Sequence, residues 1–292
     1  MTSESLETLQ AVITRAFPEL SDSTFAVLNA GWDCVAVDVD DRLIFKFPRH
    51  AAGEKRLVSE ANLLGVIRRS VTMSVPGLTL HSGPPLFSRH AKLSGEHLLT
   101  QHYELLPVEA RQRLAADMAL FYAELHRLDV RDMREAGAQP IKPWLPPEAI
   151  LRRAWPVLPV GLRAYAERTV TAWQALPPDP YGTTYGFFDG HGWNMAFDHA
   201  NDRLNGMYDF ADSGFGACHQ EFIYSDLIAP DLTLRIIAEY EVLTGLVLDR
   251  RRAHLLSAVL RLSELAEYAD DADHAPAMVR NVVEWASRSD AP

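Results

Sequence analysis

The chain has 292 residues, 48% of them hydrophobic and 23% charged, a balance typical of a folded protein of one or two domains. A formal net charge of −11 argues against nucleic acid as the main partner, because phosphate binding needs a basic surface. The same charge suits a cationic small-molecule substrate, although acidic surfaces also serve solubility alone. No apolar run approaches the roughly 18 residues of a membrane helix, so no membrane partner is expected.

The N-terminus and the cysteines indicate the compartment. The opening MTSESLETLQ is polar and acidic and has neither the basic start nor the apolar core of a secretory signal. Cys34 and Cys218 are the only cysteines, too few for a disulfide framework and without metal-ligand spacing. A cytoplasmic protein is the simplest expectation.

The first third of the chain is predicted to alternate short strands with a helix. Valines at every second position predict the first strand, and Pro48 ends the second. The predicted elements are a strand over 34–38, a turn at Asp40 and Asp41, a strand over 43–47, a helix over 54–69 and a strand over 86–90.

After Gly95 the pattern becomes mainly helical, with proline-rich loops expected over 133–148 and 177–182. The predicted helices cover 107–128, 148–175, 231–244, 249–269 and 276–287. A small strand-rich lobe, residues 1–93, is therefore predicted to precede a larger helical lobe, residues 94–292. Their junction, near residues 90–95, is the kind of place where ligand sites form.

The stretch DGHGWNMAFDHANDRLNGMYDF, residues 189–210, predicts a hairpin with strands over 195–197 and 204–208. A turn centred on Asn201 and Asp202 pairs residues whose numbers sum to 403, which sets Asn194 opposite Asp209. A carboxamide and a carboxylate at one end of a ribbon suit a hard cation such as Mg²⁺. Turn or cap chemistry is the competing interpretation, and a slip of one residue would separate the pair.

The spacing of the polar residues favours the metal interpretation. Asp189 is followed five residues later by Asn194, and Asp209 stands directly before Phe210. A catalytic Asp, a metal-binding Asn five residues on and a metal-binding Asp before Phe form the arrangement that protein kinases use for phosphoryl transfer.

The first lobe contains the lysine and glutamate that this arrangement requires. Lys46 lies within an apolar strand and Glu60 within the apolar stripe of the next helix, so each needs a charged partner. Pairing the two would direct the lysine towards the phosphates of a nucleotide. The alternative is that Lys46 reaches solvent while Glu60 pairs with Arg56. The segment around Gly31 is a weak candidate for a phosphate-binding loop, because Gly31 is the single glycine of that segment.

Together these motifs resemble the aminoglycoside phosphotransferase family over nearly the whole chain. The matching segments are Gly31-Trp-Asp33, Ile44–Arg49 with Lys46, Glu60–Leu64, Leu93–Glu96, Leu125-His126, Asp189–Asn194 and Tyr208–Gly216. The resemblance implies an α+β, protein-kinase-like fold with a small antiparallel-sheet N-terminal lobe and a larger, mainly helical C-terminal lobe. Arg89 and His90, in the strand before the junction, are then further candidates for nucleotide binding.

The chain departs from the pattern of the family at several positions. Phe187 and Phe188 replace the usual His-Gly before the catalytic Asp, and Trp193 replaces a common Gly before the metal-binding Asn. After the second metal segment, the usual Gly-Asp-Pro reads Gly216-Ala-Cys218, and Glu221 stands where a structural Asp is normal. Because the acidic and amide groups that perform the chemistry remain, activity is expected.

The expected reaction moves the γ-phosphoryl group of ATP or GTP to a hydroxyl of a small molecule. The resemblance implies that Asp189 accepts a hydrogen bond from the hydroxyl and takes its proton late. Asn194 and Asp209 would hold Mg²⁺, and Lys46, positioned by Glu60, would bind the α- and β-phosphates.

An aminoglycoside-like antibiotic is the favoured acceptor. A metabolic kinase of choline-like, amino-alcohol or sugar substrates, or a non-catalytic nucleotide-binding protein, remains open. Seven acidic residues could attract a polyamine or could simply be solvated: Asp226, Asp231, Glu264, Glu267, Asp270, Asp271 and Asp273. His191, His199 and His219 are expected to be hydrogen-bonded or surface residues rather than metal ligands.

Overall fold

A computed structural model describes residues 5–28 and 33–289, and its N-terminal part is built around a five-stranded antiparallel sheet with the strand order β1-β2-β3-β5-β4. The elements of this part are α1 (Leu6–Ala16), β1 (Phe25–Leu28), β2 (Cys34–Val39), β3 (Leu43–Pro48), α2 (Ala51–Ile67), β4 (Thr79–His81) and β5 (Phe87–Ala91). Strands β2 and β3 and helix α2 agree with the sequence-based prediction to within about three residues. Helix α1 and strands β1 and β4 were not predicted.

The alternation of side chains gives this sheet two different faces. Val37, Phe45 and Phe87 are buried on one face against Leu9 and Ile13 of α1. The residues between them along the strands point the other way, because successive side chains of a strand alternate. The sheet therefore has one apolar face covered by α1 and one face that carries Lys46.

The remaining described residues are mainly helical. Their elements are α3 (Thr100–Leu105), α4 (Val108–His126), α5 (Val130–Glu135), α6 (Pro147–Ala154), α7 (Arg163–Gln174), β6 (Thr183–Gly186), β7 (Met195–Asp198), β8 (Arg203–Met207), β9 (Gly214–Ala217), α8 (Pro230–Thr244), α9 (Arg250–Glu267) and α10 (Ala275–Ser289). Helix α4 lies in the centre, with Leu114, Met118 and Phe121 fully buried. Among the described residues, no helix is both long and apolar enough to cross a membrane.

Two predictions in this part are wrong. The single helix expected over 148–175 is divided into α6 and α7, because Pro156 and Pro159 cannot continue a helix. The loop expected over 133–148 includes the end of α5, which starts after Asp129, whose carboxylate accepts the N–H groups of Arg131 and Asp132.

The register of the β7–β8 hairpin also differs from the prediction. Met195 pairs with Met207, so paired numbers sum to 402 there, and Asp198 pairs with Arg203, where they sum to 401. The carboxylate of Asp198 accepts the N–H groups of Ala200 and Asn201 and so begins the turn earlier than expected. A bulge then shifts the register by one residue. At the other end, the N–H of Tyr208, not of Asp209, bonds to the carbonyl of Asn194.

The chain passes from the sheet to the helical part directly beside this hairpin. Glu96 exchanges backbone hydrogen bonds with Phe197 of β7, at 2.8 and 2.9 Å. Gly95 has a φ of 133°, and a Cβ atom there would lie 2.6 Å from the backbone of Ala196, so only glycine fits. The junction therefore anchors the sheet to the β7–β8 hairpin.

Candidate active site

Lys46 and Glu60 form the predicted ion pair. The Lys46 Nζ lies 2.9 and 3.1 Å from the two carboxylate oxygens of Glu60 and 3.3 Å from Oδ1 of Asp209. Burial by itself lowers the pKa of Lys46, but the charges of Glu60 and Asp209 outweigh it and raise that pKa. The alternative pairing of Glu60 is not seen, because Arg56 bonds to Asp33 at 2.9 Å.

Asp189 lies in the loop between β6 and β7, and neighbours hold both of its carboxylate oxygens. Nδ2 of Asn194 donates to Oδ2 at 2.6 Å, and Nε2 of His191 lies 3.1 Å from Oδ1. The Nδ1 of His191 accepts the N–H of Trp193, so the proton of the neutral ring is on Nε2. The Asp189 side chain remains 25% exposed and can still accept a hydrogen bond from a substrate.

Asn194 and Asp209 fit a hard cation by the chemistry of their donor atoms. Because Nδ2 of Asn194 donates to Asp189, the amide oxygen is left for another partner. Asp209 follows β8 with a φ of 66°, and its side chain is 48% exposed. Among the described residues, no group of three or more His, Cys, Asp or Glu could hold a metal by itself. Two protein oxygens are nevertheless what Mg²⁺ commonly takes when a nucleotide supplies further ligands.

Glu221 bonds to the backbone directly before Asp189. Its fully buried carboxylate accepts the N–H groups of Phe187 at 3.0 Å and Phe188 at 2.9 Å, and His126 lies 3.5 Å away. Glutamate is longer than the aspartate expected at this position, and a Cβ on Gly186 would lie 1.8 Å from its Oε2. Glycine at position 186 therefore makes room for the longer side chain.

The two phenylalanines before Asp189 are structural. Phe187 is fully buried against Phe121 and Phe210. Phe188 has a φ of 53°, and its ring occupies the space that a Cβ on Gly216 would need. Trp193, by contrast, is 58% exposed. Only Trp193 of the three is therefore available to a ligand.

Gly190, directly after Asp189, is expected to be irreplaceable because a Cβ there would lie 2.0 Å from the Tyr122 hydroxyl. Gly190→Ala should lower the free energy of unfolding by about 1–3 kcal/mol, the usual cost of overpacking. Tyr122→Phe should recover part of this loss, since the buried hydroxyl has no partner among the described residues. Chemical denaturation of the two single variants and the double variant measures the coupling. Gly65→Ala, where nothing lies within 4 Å, is the control, and equal losses in the Gly190→Ala and double variants would contradict this account.

Of the other candidates for nucleotide binding, not all lie on the same face of the sheet as Lys46. His90 pairs with Ile44 and lies on the same sheet face as Lys46; burial, and then the charge of Lys46, lower its pKa to about 3. Arg89 lies on the opposite face, with its guanidinium 4.6 Å from the ring centre of Phe17, because alternation along β5 directs it there. Gly31 lies outside the described residues.

A cavity of about 450 Å³ adjoins the loop that carries Asp189 and was not predicted from the sequence. His191 and Trp193 line one side, and Glu264 of α9 and Trp285 of α10 line the other. Of the seven acidic residues considered as a polyamine site, five bond to nearby side chains: Asp226 to Ser257, Asp231 to Tyr103 and Arg235, Glu267 to Lys142, Asp270 to Arg153 and Asp271 to His274. Most of that set is thus occupied in surface contacts.

The three histidines all make hydrogen bonds, as expected. His191 bonds to Asp189, and His199 to the carbonyl of His97 at 3.1 Å. His219 lies 2.8 Å from Asp179 and accepts the N–H of Asp249, which anchors the start of α9.

Comparison with known proteins gives the family. A model of the Phosphotransferase enzyme family matches residues 24–256. Among curated protein sequences, none matches significantly. Many solved structures share the fold. The GDP complex of a point mutant of aminoglycoside 2'-phosphotransferase-IIIa has a TM-score of 0.86 at 22% identity, with 98% of each chain covered.

The names of two less similar structures mention other small molecules. The streptomycin–ATP ternary complex of APH(2")-IIa has a TM-score of 0.64 at 17% identity, with 97% of each chain covered. The macrolide 2'-phosphotransferase MphH from Brachybacterium faecium has a TM-score of 0.67 at 16% identity, with 96% of this chain and 98% of that chain covered. With the family model matching most of the chain, the protein belongs to the phosphotransferase enzyme family and has its protein-kinase-like, two-lobed fold.

Proposed function

We propose that the protein transfers the γ-phosphoryl group of ATP or GTP to a hydroxyl of a small molecule bound in the cavity beside Asp189. The observation that carries the proposal is the contact between Lys46 of the sheet and Asp209 of the hairpin, at 3.3 Å. This contact supports the proposal because it joins a candidate phosphate-binding group to a candidate metal-binding group. We assign the two lobes to residues 1–93 and 94–292, with the site at their junction.

Each side chain has one task in this proposal. Glu60 holds the Lys46 ammonium, which binds the α- and β-phosphates. Asn194 and Asp209 hold Mg²⁺, which when bound neutralises phosphate oxygens. Asp189, with its carboxylate oriented by neighbours, accepts a hydrogen bond from the attacking hydroxyl and takes its proton late. Positioning and electrostatics therefore supply most of the rate acceleration.

The donor is a nucleoside triphosphate, and His90 belongs with Lys46 on the face that would bind it. His90 pairs with Ile44, two residues before Lys46 in β3, so it lies on the same sheet face as Lys46, and this position supports its inclusion. Arg89 is not included, since its side chain packs on Phe17 on the other face. The acceptor candidates are aminoglycoside-like antibiotics first and amino alcohols or sugars second.

The test is an assay of the purified protein with Mg-ATP or Mg-GTP and a panel of aminoglycosides, macrolides, choline and simple sugars. We expect a product heavier by one phosphoryl group, detected by mass spectrometry, with at least one acceptor. Lys46→Met should raise the KM for the nucleotide and lower kcat, because the phosphates lose their cation. Nucleotide binding without transfer to any acceptor would favour a non-catalytic nucleotide-binding protein instead.

A further inference from the structure

Arg56 lies on α2 about one turn before Glu60, and its guanidinium reaches the segment that follows Asp209. Its Nη1 lies 2.9 Å from Oδ2 of Asp33, the residue before β2, and 3.6 Å from Oδ1 of Asp212. Residues four apart on a helix share one face, so Arg56 and Glu60 point to the same side of α2. Arg56 therefore connects α2, the start of β2 and the segment after the proposed metal-binding aspartate.

The neighbourhood of Asp212 places the guanidinium near the reaction centre. Partial enclosure, and then the negative charge of Asp189, raise the pKa of Asp212, whereas the positive charge of Arg56 lowers it. A charge has such an effect mainly over short distances, so Asp189 and Arg56 both lie close to Asp212. The acceptor hydroxyl is proposed to bind at Asp189, and the phosphoryl group that it attacks must lie beside it. Arg56 is therefore a cation close to the expected position of the γ-phosphate.

Arg56 retains N–H groups that can bind a ligand. A guanidinium has five N–H donors, and within residues 5–28 and 33–289 its only hydrogen bond is that from Nη1 to Asp33. At 3.6 Å the contact with Asp212 is longer than a hydrogen bond, so a phosphate oxygen can replace it. The Arg56 side chain is 49% exposed, which leaves it open to a nucleotide.

The charges around the cleft favour a second cation for the phosphates. Four carboxylates influence one another there: those of Asp33, Asp189, Asp209 and Asp212. Lys46 is already paired with Glu60. The segment around Gly31 has a single glycine, whereas loops that surround phosphates with backbone N–H groups are usually rich in glycine. A guanidinium supplies both a fixed charge and parallel donors that match two phosphate oxygens.

We propose that Arg56 binds the γ-phosphate of the donor and stabilises the negative charge on its oxygens during transfer. The inference rests on the proposed phosphotransferase function and adds to it a phosphate-binding residue on α2. In the transfer, the acceptor oxygen forms a bond to the γ-phosphorus, and the bond from that phosphorus to the β,γ-bridging oxygen breaks. The nucleoside diphosphate leaves with the electron pair, and the proton of the hydroxyl passes to Asp189.

The first test measures nucleotide binding by calorimetry, with Mg²⁺ and without an acceptor. The ligands are the non-hydrolysable β,γ-imido analogues of ATP and GTP and the diphosphates ADP and GDP. Arg56→Gln should weaken binding of the triphosphate analogue about tenfold or more, as loss of one charged hydrogen bond implies, and leave diphosphate binding within about twofold. Because a diphosphate has no γ-phosphate, a merely structural role of Arg56 would weaken both ligands alike.

Two further variants make this comparison specific. Lys55→Gln is the matched control, because it removes the same charge from the exposed neighbouring residue on α2. Its affinities for both kinds of nucleotide should stay within about twofold of those of the unaltered protein. Arg56→Lys keeps the charge without the fork of donors, so it should recover only part of the triphosphate affinity.

Transfer gives a second readout that does not depend on the binding measurement. With the acceptor found in the panel, Arg56→Gln should lower kcat by roughly 10²- to 10³-fold, because arginine contributions to phosphoryl transfer reach this size or more. The KM for the acceptor should change little, since the acceptor binds on the other side of the phosphoryl group.

The outcomes separate the two proposals. If Arg56→Gln weakens the triphosphate analogue and the diphosphate equally, or weakens neither, Arg56 does not bind the γ-phosphate, while phosphoryl transfer by the unaltered protein still stands. An unchanged kcat in Arg56→Gln would likewise overturn its role during transfer. Absence of transfer by the unaltered protein to any acceptor would instead contradict the proposed function itself.

Discussion

Asp189→Asn is expected to lower kcat by roughly 10²- to 10⁴-fold while leaving the protein folded, the range typical of a lost general base. Asparagine keeps the shape of the side chain but cannot take the proton of the attacking hydroxyl. The KM for the nucleotide should change little, because Lys46, Asn194 and Asp209 remain. Steady-state kinetics with the acceptor found in the panel measures both parameters.

A matched control for this substitution lies in the same hairpin. Asp198→Asn alters a carboxylate whose hydrogen bonds, among residues 5–28 and 33–289, stay within the turn, to Ala200 and Asn201. Its kcat should stay within about twofold of the unaltered protein, since surface changes of this kind have small effects. A fully active Asp189→Asn variant would show that another group orients the acceptor.

The second large effect is expected at Glu221. Glu221→Ala leaves the N–H groups of Phe187 and Phe188 buried without an acceptor, and each such group costs about 1–3 kcal/mol. The free energy of unfolding should fall by about 3 kcal/mol or more. The kcat should fall as well, because the loop that carries Asp189 loses its support.

Two further variants make the Glu221 result interpretable. Glu221→Gln keeps one oxygen acceptor and should lie between the unaltered protein and Glu221→Ala in a urea titration. Glu267→Ala removes an exposed ion pair and should cost no more than about 1 kcal/mol. An unchanged unfolding midpoint in Glu221→Ala would mean that the two amides find other partners and that the loop is held differently.

The Lys46–Glu60 pair could be predicted from the sequence because each charged residue lies in an apolar pattern. Burying either charge without a partner would be energetically costly. The sequence also predicted which residues flank the hairpin, but not their register. The side chain of Asp198 makes the first hydrogen bonds of the turn, and a bulge shifts the pairing of the two strands by one residue. The pattern of hydrophobic and polar residues in the sequence indicates neither feature. Asn194 and Asp209 therefore belong to the same end of the hairpin without being paired.

Other features could not be predicted because they depend on tertiary contacts. Glu264 is one acidic residue among several in its part of the sequence, and only the packing of α9 and α10 beside the loop that carries Asp189 brings it into the wall of the cavity. Arg89 and His90 are adjacent in sequence yet lie on opposite faces of one sheet. The Phe187-Phe188 pair is understood only through packing, since Phe187 contacts Phe121 and Phe210 and the ring of Phe188 fills the space over Gly216.

The hydrogen bonds from Glu221 to the loop that carries Asp189 have a consequence for how an enzyme of this family can change its substrate. Glu221 lies in the segment after β9. Its neighbour His126 lies on α4 and bonds to Tyr240 of α8. The far wall of the cavity comes from α9 and α10. Because α10 contributes to the far wall and not to the support of Asp189, we expect α10 to tolerate substitution without disturbing Asp189. One catalytic framework can thus serve many acceptors over evolutionary time.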